Sequence, residues 1–200
     1  MEGQILLYIQ NHIRVAALNP IVVAITSLGN AGWFWIALSI LLFLIPKTRH
    51  LGVLCCCSMF FMVVLNNMIL KNLVDRIRPF VDYPDILPLG HIPKDSSFPS
   101  GHTAASFAVA TVILCRTKKR FGIPAIILAT LIALSRLYVG VHYPTDVLGG
   151  FVMGLLCSFL GMRCGELLCA ILSKKFPSFK NPSAAEKPEK DSMEQKSELC

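Results

Sequence analysis

Charge is what this sequence has least of. Asp, Glu, Lys and Arg make up 16% of its 200 residues, while 54% are hydrophobic. A water-exposed globule needs a charged skin, so this balance excludes an ordinary soluble domain and points to a chain that crosses a membrane several times. No internal repeat is evident, which excludes a solenoid. Eight cysteines are present, but no C-x-x-C pair, which removes the usual zinc and redox dithiol arrangements. Seven of them sit in or beside apolar runs and read as small hydrophobes. Cys200 is the last residue, whereas a prenylation box needs a cysteine four from the end. No carboxylate cluster suggests a divalent metal. The N-terminus lacks a basic region, apolar core and small-residue cleavage site in series, and so reads as uncleaved.

What is present is a succession of apolar runs. Residues 3–16 place Ile5, Ile9 and Ile13 every four residues with Gln4, Gln10, Asn11 and Arg14 between them, which predicts an amphipathic helix at the membrane surface. Residues 20–28 are apolar but too short to span alone; they either continue that helix or form a short buried piece. Five clear spans follow, at about 31–45, 51–73, 100–115, 122–138 and 145–172. The expected fold is therefore all-α, a transmembrane bundle of five spans (six if the early segment crosses). Its parts are an interfacial region at 1–28, a membrane domain at 29–173 and a Lys-, Glu-, Ser- and Pro-rich tail at 174–200 that predicts cytoplasmic disorder.

The net charge of +7 is no nucleic-acid stripe, because the basic residues gather at the ends of the apolar runs. Lys47 and Arg49 close the first span, Arg116, Lys118, Lys119 and Arg120 the third, and Lys174 begins the tail. Parity puts all three clusters on one side, and the positive-inside rule makes that side cytoplasmic. The loop at 79–98 and the turn at 139–145 then face outward.

Three constellations fall on that outward side. Lys71 and Arg78 are two helical turns apart and share a face if the helix persists so far, although Pro79 places Arg78 at the helix exit. Ser100, Gly101 and His102 open the third span; Ser100 suits an N-cap, and a helix N-terminus with a glycine is an anion site. Arg136 ends the fourth span, and His142 and Asp146 bracket Pro144, a first-turn residue of the fifth. Asp146 can fix the tautomer of His142 and leave its other nitrogen as a nucleophile, while Arg136 supplies a fork for phosphate oxygens. Each piece has a plain alternative: headgroup anchors, a simple cap, a structural His–Asp pair. Together they bring three cations, two imidazoles, a carboxylate and a helix N-terminus to one membrane face, which describes a phosphoryl-transfer site.

Read in order, K-x6-RP, PSGH and SR-x5-H-x3-D resemble the type 2 phosphatidic acid phosphatase family of membrane lipid phosphatases, over about residues 29–172. The resemblance implies a metal-independent enzyme without cofactor. His142 would attack phosphorus to give a phosphohistidine, Asp146 would orient it, and His102 would protonate the leaving oxygen. Lys71, Arg78, Ser100, Gly101 and Arg136 would hold the phosphoryl oxygens. The short chain looks like small bacterial members, several of which dephosphorylate undecaprenyl diphosphate outside the cytoplasm; phosphatidylglycerophosphate and phosphatidic acid are the alternative substrates. A lipid phosphotransferase and a noncatalytic lipid-phosphate binder are the rival classes.

Other polar residues take structural readings. Asn66 and Asn67 predict interhelical hydrogen bonds, Trp33 and Trp35 interfacial anchors, and Asp75 and Arg76 a local ion pair. His91 and Lys94 belong to a solvated loop that could also touch a second phosphate.

Overall fold

A computed structural model describes residues 1–174, Phe176 and Phe179, all of whose regular elements are helical. The tail expected from 174 onward therefore lies, apart from its first residues, outside the described residues. Helix α1 (Glu2–Tyr8) runs into a π-helical turn, Ile9–Ile13. Then come α2 (Asn19–Ser27), α3 (Trp33–Leu44) and α4 (Arg49–Phe61). A π-helical stretch, Met62–Leu70, leads into α5 (Lys71–Val74), followed by the single turn α6 (Pro79–Asp82). Three long helices complete the chain: α7 (Gly101–Arg116), α8 (Lys119–Tyr138) and α9 (Pro144–Ser173).

Helix α7 is the axis of the bundle, with α4, α8 and α9 packed around it. Ala104, Ala105, Ala108, Val109, Ala110 and Val112 are all essentially inaccessible. The helix is small-sided all round because it has neighbours all round. Lipid offers no solvophobic drive between helices, so close backbone approach and dispersion must hold them. Glycines on α9 supply it. A Cβ at Gly154 would stand 2.9 Å from the Ala104 carbonyl oxygen of α7, and one at Gly161 would stand 2.4 Å from the Ser58 backbone of α4.

Fewer helices than the five expected spans are, by length and composition, able to cross a membrane on their own. Arg49–Asp82, Lys119–Tyr138 and Pro144–Ser173 are long and apolar enough to cross a membrane. A fourth crossing results if α2 and the segment Asn30–Leu44, bent by 43° at their break, count as one. The third predicted span is α7, whose 16 residues reach roughly 24 Å at 1.5 Å per residue, short of a hydrocarbon core of about 30 Å.

The N-terminal segment also differs from its expected form. The helix does not continue to residue 16, because Arg14 is extended. Leu6, not the isoleucine series, supplies the buried apolar side chain, packed with Ile86 and Tyr143. The polar residues grip protein: Gln10 bonds Asp85 and Leu87, and Arg14 bonds the carbonyls of Leu87 and Tyr138. Trp33 is half exposed, as an anchor should be, but Trp35 is 1% exposed and donates to Ser106 of α7. A tryptophan two residues further along a helix is turned by about 200°, which here moves it from rim to core.

Candidate active site

The chain between α5 and α6 is built to present arginines. Asp75 adopts a left-handed conformation (φ 42°, ψ 49°) that stops α5. Lys71 and Arg78 therefore do not share a helix face; they meet through Asp95. Arg78 is extended ahead of Pro79, as a residue before proline prefers. Its Nη2 donates to Asp95 Oδ1 at 2.7 Å, and Lys71 Nζ bonds the other carboxylate oxygen. Burial alone would raise the Asp95 carboxyl, but Lys71 and Arg78 hold it down to about 2. Arg136, 3% exposed, donates Nη1 to Thr26 Oγ1 at 2.5 Å while its buried Nε has no partner. An unpaired guanidinium N–H in such a place is an anion donor in waiting.

His142 stands on the link between α8 and α9, where Gly140 (φ 78°) makes the turn. Its ring is 2% exposed. Nε2 lies 3.3 Å from Arg78 Nη1, and Nδ1 lies 3.5 Å from Asp146 Oδ2. That second separation is at the outer limit, and Nδ1 makes no hydrogen bond here, so the His142–Asp146 bond predicted from the i, i+4 spacing is a close approach. The carboxylate is instead held by others. Arg76 Nη1 donates to Oδ1 at 2.7 Å, and Ser97 Oγ and the Tyr143 N–H donate to Oδ2 at 2.5 and 2.8 Å. Burial pushes the His142 imidazole down to about 4, with Asp146 opposing and Arg136 and Arg78 adding to the effect. The ring is thus neutral near pH 7, with a nitrogen lone pair available.

His102 occupies the first turn of α7, whose N-cap is Ser100 as expected. Its Nε2 lies 3.0 Å from Asn30 Oδ1. A cavity of about 410 Å³ opens among Lys71, Arg78, Gly101, His102, Arg136 and His142, with Asn30, Asn67, His91 and Asp95 also on its wall. Six of the eight predicted site residues therefore share one space. Asp146 lies behind His142. Ser100 is fully buried, its Oγ accepting from Thr103 N at 3.4 Å and Thr103 Oγ1 at 3.0 Å. Ser100 therefore caps α7, and it does not stand among the residues lining the cavity.

Several residues of the site escaped the sequence reading. Arg76 was expected to pair with Asp75; it bonds Asp146, Glu2 and Thr145 instead and stacks on the Tyr143 ring. Asn67 reaches the cavity and accepts from Asn66, so the pair does not bridge helices as predicted. The π-helical stretch carrying both is a common way of turning a side chain into a site.

A family model described as the PAP2 superfamily matches residues 50–168. The chain belongs to the PAP2 superfamily. Similar proteins include an undecaprenyl-diphosphatase of Sulfolobus acidocaldarius, 33% identical over 76% of this chain and 73% of that one. Phosphatidylglycerophosphatase B of Bacillus subtilis is 42% identical over 48% of this chain and 49% of its own. Among solved structures, a transmembrane PAP2-type phosphatidylglycerolphosphate phosphatase from Bacillus subtilis superposes with a TM-score of 0.67 at 34% identity, covering 82% and 84% of the two chains. Aquifex aeolicus LpxE gives 0.64 at 28% identity, over 80% and 93%. This PAP2 protein is an integral membrane hydrolase of lipid phosphate esters.

Proposed function

We propose that this PAP2 protein converts undecaprenyl diphosphate to undecaprenyl phosphate and inorganic phosphate, through a phosphohistidine, on the extracytoplasmic face of the membrane. The observation that carries the mechanism is the seat of His142: a neutral, buried imidazole whose Nε2 lies 3.3 Å from Arg78 Nη1 at the wall of a cation-lined cavity. In the first step the Nε2 lone pair forms the N–P bond. The P–O bond to the lipid phosphate breaks, and the departing oxygen takes its electron pair and a proton from His102. In the second step water attacks phosphorus and gives its proton to His102. The N–P bond then breaks, returning its electrons to His142.

Lys71, Arg78, Arg136 and the Gly101 amide neutralise the phosphoryl oxygens in both transition states, which is where phosphoryl transfer most needs help. While His142 carries phosphorus, its ring is cationic, and Asp146 stabilises it from the Nδ1 side. The Sulfolobus relative supports the diphosphate as substrate; the Bacillus phosphatidylglycerophosphatase supports phosphatidylglycerophosphate as the second reading. Five crossings remain the preferred topology, with α7 short because it runs through the protein's interior, and residues 1–28 lie at the interface.

The purified chain, assayed in detergent with a chelator, is expected to release phosphate from undecaprenyl diphosphate faster than from phosphatidylglycerophosphate or phosphatidic acid. His142→Ala should reduce release to background. Undiminished turnover by that variant would overturn the assigned nucleophile.

A further inference from the structure

The turn that joins α2 to α3 belongs to none of the sequence motifs, yet Gly29, Asn30, Ala31 and Gly32 all line the active-site cavity. Two separate features fit this turn to His102. Asn30 Oδ1 lies 3.0 Å from His102 Nε2. Gly29 lies against the ring itself: a Cβ there would stand 2.5 Å from His102 Cδ2 and 3.1 Å from Cγ. The backbone accepts an unfavourable shape to do this, since Ala31 (φ 49°) and Gly32 (φ 67°) are both left-handed. For a residue with a Cβ that conformation is unfavourable, and such outliers gather at working sites.

We infer that Asn30 is a positioning residue for the acid–base histidine: its side-chain oxygen accepts the Nε2 proton of His102 and reserves Nδ1 for proton exchange with the substrate. The inference rests on His102 being the proton donor of the proposed reaction. An acceptor at Nε2 demands an N–H there in both protonation states. In the acid form both ring nitrogens are protonated, with Nε2–H on Asn30 and Nδ1–H on the leaving oxygen. When the P–O bond breaks, that oxygen keeps the electron pair and takes the Nδ1 proton. His102 is left as the neutral Nε2–H tautomer, its lone pair at Nδ1 ready for the proton of the attacking water. Without the acceptor, the neutral ring can hold its proton on either nitrogen, and only one tautomer serves the second step.

The test uses the full chain in detergent and two phosphate monoesters, dodecyl phosphate and p-nitrophenyl phosphate. The alkoxide of the first needs a proton as it leaves; the nitrophenolate of the second does not. Asn30→Ala is expected to lose about ten- to hundredfold in kcat/KM on the alkyl ester, a part of the roughly 10²–10⁴-fold that general acid catalysis contributes, and less than about threefold on the aryl ester. Asn30→Asp places a carboxylate on Nε2 and favours the imidazolium. It should recover the alkyl rate and move the alkaline limb of the kcat/KM profile to higher pH. Equal losses on both esters in Asn30→Ala, or an unmoved limb in Asn30→Asp, would overturn the inference. If Asn30→Ala does not purify as a folded species, the limb in Asn30→Asp decides alone. His102→Gln separates the two levels. If it loses both esters equally, the proton-donor reading fails and takes Asn30 with it. If it is selective while Asn30→Ala is not, only the role of Asn30 falls.

Discussion

In the proposed reaction the chemistry turns on His142, and its surroundings make its protonation testable. The imidazole must be neutral to attack, and burial holds it at about 4 against an ordinary 6.5. The acid limb of kcat/KM for substrate is therefore expected to fall as pH drops through about 4, not through the range of a free histidine. A pH profile of initial rates between pH 3.5 and 7 checks this, with a limb near 6.5 as the contrary result. The same folded-state pKa has a stability consequence. Because the unfolded chain binds a proton that the folded ring refuses, stability declines as pH falls from the unfolded value towards the folded one. In the proposed mechanism Asp146 aims this ring, itself held by Arg76, Ser97 and Tyr143. Asp146→Asn should cost ~10²–10⁴ in kcat. Arg76→Gln removes one charged hydrogen bond from the carboxylate, worth roughly 1.5–3 kcal/mol, and should cost about ten- to hundredfold. Steady-state kinetics on undecaprenyl diphosphate distinguish the two magnitudes.

At the scale of elements, what could be read from the sequence was whatever local chemistry settles. Ser100 before Gly101 and Pro144 after Tyr143 mark helix starts in any context, and both helices begin there. The cavity residues of the three motifs were legible for a related reason: helix ends on one membrane face must be neighbours. What was not legible depends on rotation and on distant partners. Trp35 differs from Trp33 only by its angle about α3. Arg76 differs from a surface arginine only because Asp146, 70 residues later, returns beside it. Asn30 sits in a turn whose partner, His102, is 72 positions away. The glycines of α9 carry no motif either, yet they set how closely the helices pack. Gly161→Ala would press a methyl group into the Ser58 backbone at 2.4 Å. Backbone cannot rotate aside, so the α4–α9 contact must open at a cost of about 1–3 kcal/mol. Leu168→Ala, on an exposed face of the same helix, should change stability by less than about 0.5 kcal/mol. Thermal unfolding of the two variants in one detergent tests the contrast.

For the molecule as a whole, the helices have two chemically different ends. At one end the motif residues surround the cavity. At the other, Glu166 near the end of α9 takes His50 from the start of α4 at 3.0 Å and Arg116 from the end of α7 at 3.1 Å. This second cluster knots three helices together beside the basic turns at Lys47–Arg49 and Lys118–Arg120. The proposed topology, which follows the positive-inside rule, puts that end in the cytoplasm and the cavity outside. The assignment matters for function, because a carrier diphosphate released outside can be hydrolysed there only by a site that opens outward. It predicts that, in a cysteine-depleted background, His91→Cys at the cavity wall reacts with a membrane-impermeant maleimide on intact cells. Lys118→Cys should react only after permeabilisation. The reverse pattern would turn the bundle over and remove outer-leaflet diphosphate from its reach, leaving the hydrolase to work on cytoplasmic-face lipid phosphates with the same residues. Equal labelling of both positions on intact cells would mean that α7 and its neighbours do not separate the two ends across the bilayer at all.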